Sequence, residues 1–328
     1  MKTALVITVG SKHESLGASK LAAWLRRNGW DVEESTTVGM FDSGKDLYAF
    51  SVVFSWKLPS LVQMVRDVKN WGEVWIGGPA VTFHRENWEY VFDQTGVRPH
   101  VGLDARFEEE QTDCPMVYFS RGCPAYTPAC GYCPVPRIEG TKFRFYPNAR
   151  PARLLLDNNL SALPDDYQQH IIKRYRDEWK GPAVDCNSGF EPHSFTSKTL
   201  DRWSRFPLAF WRFGYDDITE RSQALEMMGL LKVAGYSGER VRVYTLIGNE
   251  PRELCHQRIR EVIDAGFHPV PQRLRPLNWR SGQLPCQHDW DEQTLIAFQR
   301  FYSIAGFWKR LHPNEFYYQG RYPLRSVA

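Results

Sequence analysis

The sequence lacks several features that would assign it to a broad class. It has no apolar run of the about 18 residues that a helix needs to cross a bilayer, which excludes a membrane-spanning protein. Its 41 Lys and Arg nearly balance its 38 Asp and Glu, so the net charge of +3 does not by itself indicate nucleic-acid binding. The short apolar N-terminal run lacks the small-residue cleavage site of a secretory signal. We therefore expect a soluble, cytoplasmic protein without a membrane partner.

Cysteine is scarce, and the few that occur are unevenly spread. The 328 residues include seven cysteines, an odd number that does not suit a disulfide framework. Three of them, Cys123, Cys130 and Cys133, lie within eleven residues. Such a cluster favours metal ligation in a reducing compartment.

Apolar strands alternate with amphipathic helices along the first hundred residues. Strands are predicted at 4–9, 49–55 and 73–76, and helices at 15–28 and 59–70. Buried strands separated by helices indicate an α/β fold with a parallel sheet, so residues 1–101 are predicted to form a Rossmann-like domain. The acidic, turn-prone stretch 102–114 is predicted to be a linker.

A second alternating series extends over residues 115–290. Its predicted strands are 116–120, 153–156, 183–187, 208–214, 241–247 and 267–272. Helices are predicted between them near 165–179, 197–205, 218–234 and 251–265. Six strands with intervening helices predict a partial (β/α)6 barrel, in which reactive groups belong at the carboxyl ends of the strands. Residues 291–328 are predicted to form a C-terminal helix followed by a basic, aromatic extension.

The cysteine cluster has the spacing C-x6-C-x2-C and follows the first strand of this second series. Three thiolates on one loop can each bind one iron of a 4Fe-4S cluster and leave the fourth iron open to a ligand. Zinc is the main alternative, but a structural zinc site needs four protein ligands. Cys114 could be the fourth only if the strand between it and Cys123 did not form.

This loop resembles the signature of the radical S-adenosylmethionine (SAM) superfamily, which is three cysteines spaced C-x3-C-x2-C with an aromatic residue before the last. Tyr132 has the aromatic position, although the first spacing is three residues longer here. The resemblance implies that Cys123, Cys130 and Cys133 bind a 4Fe-4S cluster and that the Tyr132 ring lies beside the SAM adenine. It also implies reductive cleavage of SAM to a 5'-deoxyadenosyl radical, which abstracts a hydrogen atom from a substrate. The electron would come from a donor such as flavodoxin or ferredoxin.

Weaker matches lie at the ends of the later strands, and the resemblance implies that they contact SAM. The residues concerned are Asp157, Asn158, Asn187, Arg212, Tyr215, Ile247 and Gly248. Asp157 and Asn158 stand where the family usually has Gly-Gly-Glu. Arg212 is the candidate for the SAM carboxylate because its planar guanidinium suits a bidentate contact, the alternative being a surface arginine on a strand edge.

A Rossmann-like domain ahead of a radical SAM barrel resembles the cobalamin-binding branch of that superfamily. The segment 75–80, with two glycines, strengthens the likeness. His13 has the place of the lower cobalt ligand, but the usual Asp two residues before it is missing. A ligating histidine normally needs an orienting acceptor, so we favour a domain that has the fold without cobalamin. The alternative is a cobalamin-dependent radical SAM methyltransferase.

The substrate is not evident from the sequence. His193 follows the third strand of the second series and either faces the substrate or is a packed side chain. Cys186 and Cys255 lie in strand and helix patterns and are predicted to be core residues. The C-terminal segment has aromatic clusters beside basic residues, and the aromatic rings could stack on nucleobases. This suggests a nucleoside or a nucleic-acid base as the substrate. These residues are Phe301, Tyr302, Phe307, Trp308, Phe316, Tyr317 and Tyr318, with Lys309, Arg310 and Arg321.

Two other functions remain open at this point. A radical enzyme that forms a glycyl radical on a partner protein would need the same cluster. A zinc-stabilised nucleic-acid-binding protein would need a different metal at the same cysteines.

Overall fold

The computed structural model of the chain describes residues 1–10, 15–40, 42–124 and 131–310. The chain divides into two compact units. The first contains Met1–Pro124, Pro134–Ala152 and Pro276–Gly282, and the second contains the described residues 131–133, 153–275 and 283–310. None of the described helices combines the length and the apolar character that crossing a bilayer requires.

A four-stranded sheet forms the centre of the first unit. Its strands are β1 (Thr3–Val9), β2 (Asp31–Ser35), β3 (Leu47–Val52) and β4 (Glu73–Gly77). All neighbours are parallel, and the order is β2-β1-β3-β4. The parallel α/β arrangement expected for this part of the chain is confirmed.

Helices pack on both faces of this sheet. They are α1 (Leu16–Arg27), α2 (Leu58–Val68), α3 (Pro79–Phe83) and α4 (Arg85–Thr95). Alternate residues of a strand point to opposite faces, so Leu5 and Ile7 are buried with α2 and α4 while Ala4 and Val6 are buried with α1. The strand β1 is therefore apolar on both sides, as a central strand of a doubly wound sheet must be.

Short elements complete the first unit. They are β5 (Met116–Val117), β6 (Ser120–Arg121), α5 (Val135–Ile138) and β7 (Arg144–Phe145), with β6 and β7 antiparallel. The acidic stretch 102–114 is bound to α1, because the Lys20 ammonium donates to the Glu108 carbonyl oxygen and Arg27 pairs with Glu110. Its acidic side chains therefore have local basic partners.

The second unit alternates strands and helices. Its elements are β8 (Leu154–Leu155), α6 (Asp165–Glu178), β9 (Asp185–Cys186), α7 (Ser197–Trp203), β10 (Trp211–Gly214), α8 (Arg221–Val233), β11 (Gly238–Ile247), α9 (Arg252–Asp264), β12 (Phe267–Arg273), α10 (Glu292–Ser303) and α11 (Ala305–Trp308). The strands β10, β11 and β12 form one parallel sheet, and β8 pairs with β9 in parallel. Every helix predicted for this region is present.

The strands of the second unit do not form a single barrel sheet within the residues described. Isolated parallel bridges, Val184 to Leu208 and Phe190 to Phe213, connect the β9 segment to the β10 segment. The reason is that β8 and β9 are only two residues long, so few ladder hydrogen bonds exist to extend. The described residues therefore have an α/β fold with parallel sheets.

Aromatic packing and one glycine hold the segment after β9 against β10. The Phe190 ring lies 5.2 Å from that of Trp203 and 5.0 Å from that of Trp211, measured between centroids. Gly189 has φ +77°, and a Cβ atom there would lie 2.5 Å from the carbonyl oxygen of Arg212. Only glycine fits this approach without strain, so residues that follow β9 lie beside the end of β10.

A buried ionic network joins the carboxyl ends of β10 and β11. Arg258 of α9 is fully buried and donates to the Glu250 carboxylate at 2.8 Å. Its other nitrogens donate to the carbonyl oxygens of Tyr215 at 2.6 Å and Leu246 at 2.7 Å. Because the buried charges are paired and hydrogen-bonded, this edge of the sheet is well defined.

Candidate functional site

The first cysteine of the C-x6-C-x2-C loop follows β6 in the first unit. Arg121 pairs with Glu108 at 3.2 Å and with Glu139 at 2.6 Å, and the Gly122 N–H donates to the Glu139 carboxylate at 2.9 Å. The Cys123 thiol is half-buried and not in a disulfide. The backbone leading to Cys123 is thus fixed by two carboxylates.

Gly122 is required by the same turn. Its φ is +92°, and a Cβ atom there would lie 2.3 Å from the carbonyl oxygen of Lys142. The Cys123 N–H in turn donates to the Gly140 carbonyl oxygen at 3.2 Å. Residues 140–142 therefore close tightly over the start of the cysteine loop.

The last cysteine of the loop belongs to the second unit, where Tyr132 anchors it. The Tyr132 hydroxyl donates to the carboxylate of Asp216, which follows β10. Burial and the negative charge of Asp216 raise the pKa of Tyr132, so the proton stays on the phenol. Tyr132 as a whole residue is 38% exposed. The half-buried Cys133 is consequently held near the carboxyl end of a parallel strand.

Cys130 and His13 lie outside the described residues, as does the C-terminal extension beyond residue 310. Cys114, the alternative zinc ligand, is buried. The short strands β5 and β6 form between Cys114 and Cys123, which is the condition under which Cys114 is not expected to join the cluster.

Two of the residues predicted to contact SAM have charged protein partners. Arg212 makes a bidentate pair with Asp185, at 2.7 Å and 2.6 Å, and its side chain is only 12% exposed. Tyr215 is buried, and its hydroxyl donates to the Glu261 carboxylate at 2.8 Å. Their predicted contacts with SAM stay predictions.

The other predicted SAM residues follow parallel strands of the second unit. Asp157 is buried and Asn158 half-buried after β8, whereas Asn187 is exposed directly after β9. Ile247 is buried at the end of β11, and Gly248 follows with φ +92°. Asp157, Asn158 and Asn187 thus lie at the carboxyl ends of the paired strands β8 and β9, and Ile247 and Gly248 lie at the carboxyl end of β11 in the other parallel sheet. The carboxyl ends of parallel strands are where α/β folds bind ligands.

A cluster that the sequence did not reveal lies at the ends of β9 and β10. It consists of Glu191, His193 and Glu220, each of which offers one ligand atom within 4.8 Å of the others. Sequence reasoning singled out His193 but neither glutamate. The two glutamates are far apart in the chain and share no local motif, so only the pairing of their strand segments brings them together.

The glutamates of this cluster have unusual acidities. Burial, with the charges of Asp216 and Glu191, raises the pKa of Glu220 to about 7. Burial also raises the pKa of Glu191. Glu220 accepts hydrogen bonds from the backbone N–H groups of Asp216 at 2.9 Å and Asp217 at 3.2 Å. Asp216 therefore contacts both Tyr132 and Glu220, which places the tyrosine and the cluster at one site.

The first unit contains a cavity of about 610 Å³ near the carboxyl ends of β1 and β2. Its lining includes Thr8, Ser35, Asp113 and Arg150. Arg26, also in the lining, is paired with Glu34 at 2.8 Å.

Comparisons with known families and with curated proteins find no match to this chain. The function is therefore argued from the residues themselves.

Proposed function

We propose that the protein is a radical SAM enzyme in which Cys123, Cys130 and Cys133 hold a 4Fe-4S cluster. The observation that best supports this is the hydrogen bond from Tyr132 to Asp216, because it ties the cysteine loop to the carboxyl end of β10. Such a cluster, once reduced, supplies the electron that cleaves bound SAM to methionine and a 5'-deoxyadenosyl radical able to abstract a hydrogen atom. The proposal includes a partial (β/α)6 barrel built from the strands of the second alternating series.

The thiols of the loop suit iron better than the other cysteines do. The thiols of Cys123 and Cys133 are half-buried and not in disulfides, so iron and sulfide can reach them. Cys186 and Cys255 are fully buried, and burial raises the pKa of both thiols. Because a thiolate is the ligating form, these buried cysteines are poor ligands. The donor set therefore fits three-cysteine ligation.

Tyr132 has the properties that an adenine contact requires. Its hydroxyl is fixed by Asp216 while the residue remains partly exposed, so the ring is oriented before a ligand arrives. Arg212 can bind the SAM carboxylate only by leaving Asp185, since that carboxylate occupies both ends of its planar fork. We propose Tyr132 as the pre-positioned contact and Arg212 as one that must exchange partners.

The proposal extends to the class of substrate and to the electron donor. The aromatic and basic C-terminal residues suggest a nucleoside or a nucleic-acid base, and a flavodoxin or ferredoxin would supply the electron. Cobalamin is not favoured, because His13 lacks an orienting aspartate.

Metal analysis after anaerobic reconstitution tests the cluster. We expect about four iron and four sulfide per chain with a broad absorbance shoulder near 400 nm, and loss of both in Cys133→Ala. Cys286→Ala is the matched control, because Cys286 is a half-buried free thiol outside the motif and its loss should leave the iron content unchanged. Zinc without sulfide in the wild-type protein would refute the proposal.

A further inference from the structure

The cluster of Glu191, His193 and Glu220 is chemically distinct from the cysteine loop. It contains one imidazole and two carboxylates and no thiol. We propose that these three residues bind a divalent transition-metal ion such as Mn²⁺, at a second metal site that does not depend on the iron-sulfur cluster.

The backbone holds the three side chains in place before any ion binds. Glu191 caps a 3-10 turn, Pro192–Ser194, by accepting the His193 N–H at 3.1 Å. Ser161, between β8 and α6, fixes the same residue, since its hydroxyl accepts the Glu191 N–H at 2.9 Å and donates to the Glu191 carbonyl oxygen at 3.1 Å. The site is thus pre-organised on its β9 side.

Glu220 is held equally firmly on the β10 side. It ends a second 3-10 turn, Ile218–Glu220, which Asp217 opens with a capping box. The Glu220 side chain is buried and bonded to two backbone N–H groups, so it has little rotamer freedom to lose on binding an ion. Ordered ligands lower the entropic cost of binding.

The imidazole supplies the observation that points to a ligand. His193 Nε2 is buried and makes no hydrogen bond within the part of the chain that the structure describes. A buried polar atom without a partner is destabilising, and native proteins rarely leave one unsatisfied. Beside two carboxylates, a metal ion would satisfy the imidazole and offset the negative charge at the same time.

The ligand set decides the class of ion. Imidazole together with carboxylate suits first-row transition ions such as Mn²⁺, Fe²⁺ and Zn²⁺, whereas Ca²⁺ and Mg²⁺ prefer oxygen alone. Ligand atoms bound at about 2.0–2.2 Å lie roughly 3–3.5 Å from one another. The three ligand atoms here lie within 4.8 Å of one another, and small side-chain rotations would bring them to that separation. Three protein ligands leave coordination positions open for a substrate oxygen or water.

Titration of the full-length protein with Mn²⁺, followed by electron paramagnetic resonance, tests this site. Mn²⁺ is the probe because thiolates bind it poorly, so the cysteine loop does not compete. We expect one saturable Mn²⁺ per chain and a ¹⁴N coupling in the pulsed spectrum. The coupling should vanish in His193→Ala and persist in His170→Ala, a histidine of α6 outside the cluster.

A conservative variant keeps the test valid if His193→Ala fails to fold. Glu220→Gln retains an oxygen that can accept the two backbone N–H groups, yet removes the charge. Its Mn²⁺ affinity should fall at least tenfold, since even indirect partners of a metal ligand contribute that much. Glu226→Gln on the exposed face of α8 is the matched control and should bind like wild type.

Separate outcomes distinguish this inference from the proposed iron-sulfur function. Cys130→Ala should lose iron and keep the Mn²⁺ site. Absence of saturable Mn²⁺ binding in folded wild-type protein would overturn the inference, and so would a ¹⁴N coupling that survives in folded His193→Ala.

Discussion

At the scale of single residues, the surroundings of the cysteines divide them into two sets. Cys186 and Cys255 are completely buried, which confirms their prediction as core residues. Cys123, Cys133 and Cys286 are half-buried. The difference matters because the thiolate is the reactive form, and burial raises the pKa of both buried thiols. For Cys255 this holds although the Arg258 guanidinium donates to its Sγ at 3.4 Å.

Alkylation at neutral pH should follow this division. In folded protein without iron, iodoacetamide should alkylate Cys123 and Cys133 faster than Cys186 and Cys255. Peptide mass spectrometry measures the extent of alkylation at each cysteine over time. Reconstitution with iron and sulfide should then protect the first pair, because ligating thiolates cannot attack the reagent. Rapid labelling of Cys186 in folded protein, or unchanged labelling of Cys133 after reconstitution, would contradict this account.

Tyr132 carries the contact that fixes the end of the cysteine loop. A hydrogen bond to a carboxylate contributes about 1.5–3 kcal/mol, so Tyr132→Phe should open residues 131–133 about 10- to 100-fold more often. Hydrogen-exchange mass spectrometry measures this as faster exchange confined to that segment.

Tyr236→Phe serves as the control for the tyrosine change. The Tyr236 ring packs edge-on against Trp211 at the start of β10, the end of the strand opposite Asp216. Its loss of a hydroxyl should leave exchange at 131–133 unaltered. Equal acceleration in both variants would mean that the phenol of Tyr132 has no special anchoring role.

At the scale of secondary-structure elements, close backbone approach at Gly189 sets the position of everything that follows β9. Gly189→Ala should lower the free energy of unfolding by about 2 kcal/mol, because a positive φ and a contact with the Arg212 carbonyl oxygen both oppose a Cβ atom. Urea denaturation followed by circular dichroism measures the change.

Gly229 offers a glycine control in the same unit. It lies within α8, and a Cβ atom there would meet no atom within 4 Å. Gly229→Ala should raise stability by about 0.5–1 kcal/mol, since alanine restricts the unfolded chain and favours the helix. If the two alanine variants were equally stable, the strained turn at Gly189 would not be what positions this segment.

The elements that the sequence predicted well are those with an apolar stripe or an apolar core strand. The helices α6 to α9 and the strand β1 carry such patterns, and the structure has them close to their predicted bounds. The strand β2 was not predicted, because it lies at a sheet edge with mostly exposed, polar residues. An edge strand forms by backbone hydrogen bonds to one neighbouring strand, and these bonds leave no periodic pattern of apolar side chains in the sequence.

At the scale of the whole molecule, the candidate site depends on residues that the fold brings together. The cysteine spacing and Tyr132 were visible in the sequence because they are local. The partners Asp216 for Tyr132 and Glu220 for His193 were not, since each pair meets only through the order of parallel strands. Arg212 was chosen because the resemblance implies a SAM contact at the end of its strand and its planar guanidinium suits a carboxylate, but its pairing with Asp185 depends on the register of neighbouring segments.

The central claim is that the cysteine loop holds a cluster with an open iron that binds SAM. Production of 5'-deoxyadenosine by anaerobically reconstituted protein, given SAM and dithionite, tests it most directly. We predict that the wild-type protein forms this product and that Cys130→Ala does not. Equal product formation by Cys130→Ala, or none by wild-type protein loaded with four iron and four sulfide, would contradict the claim.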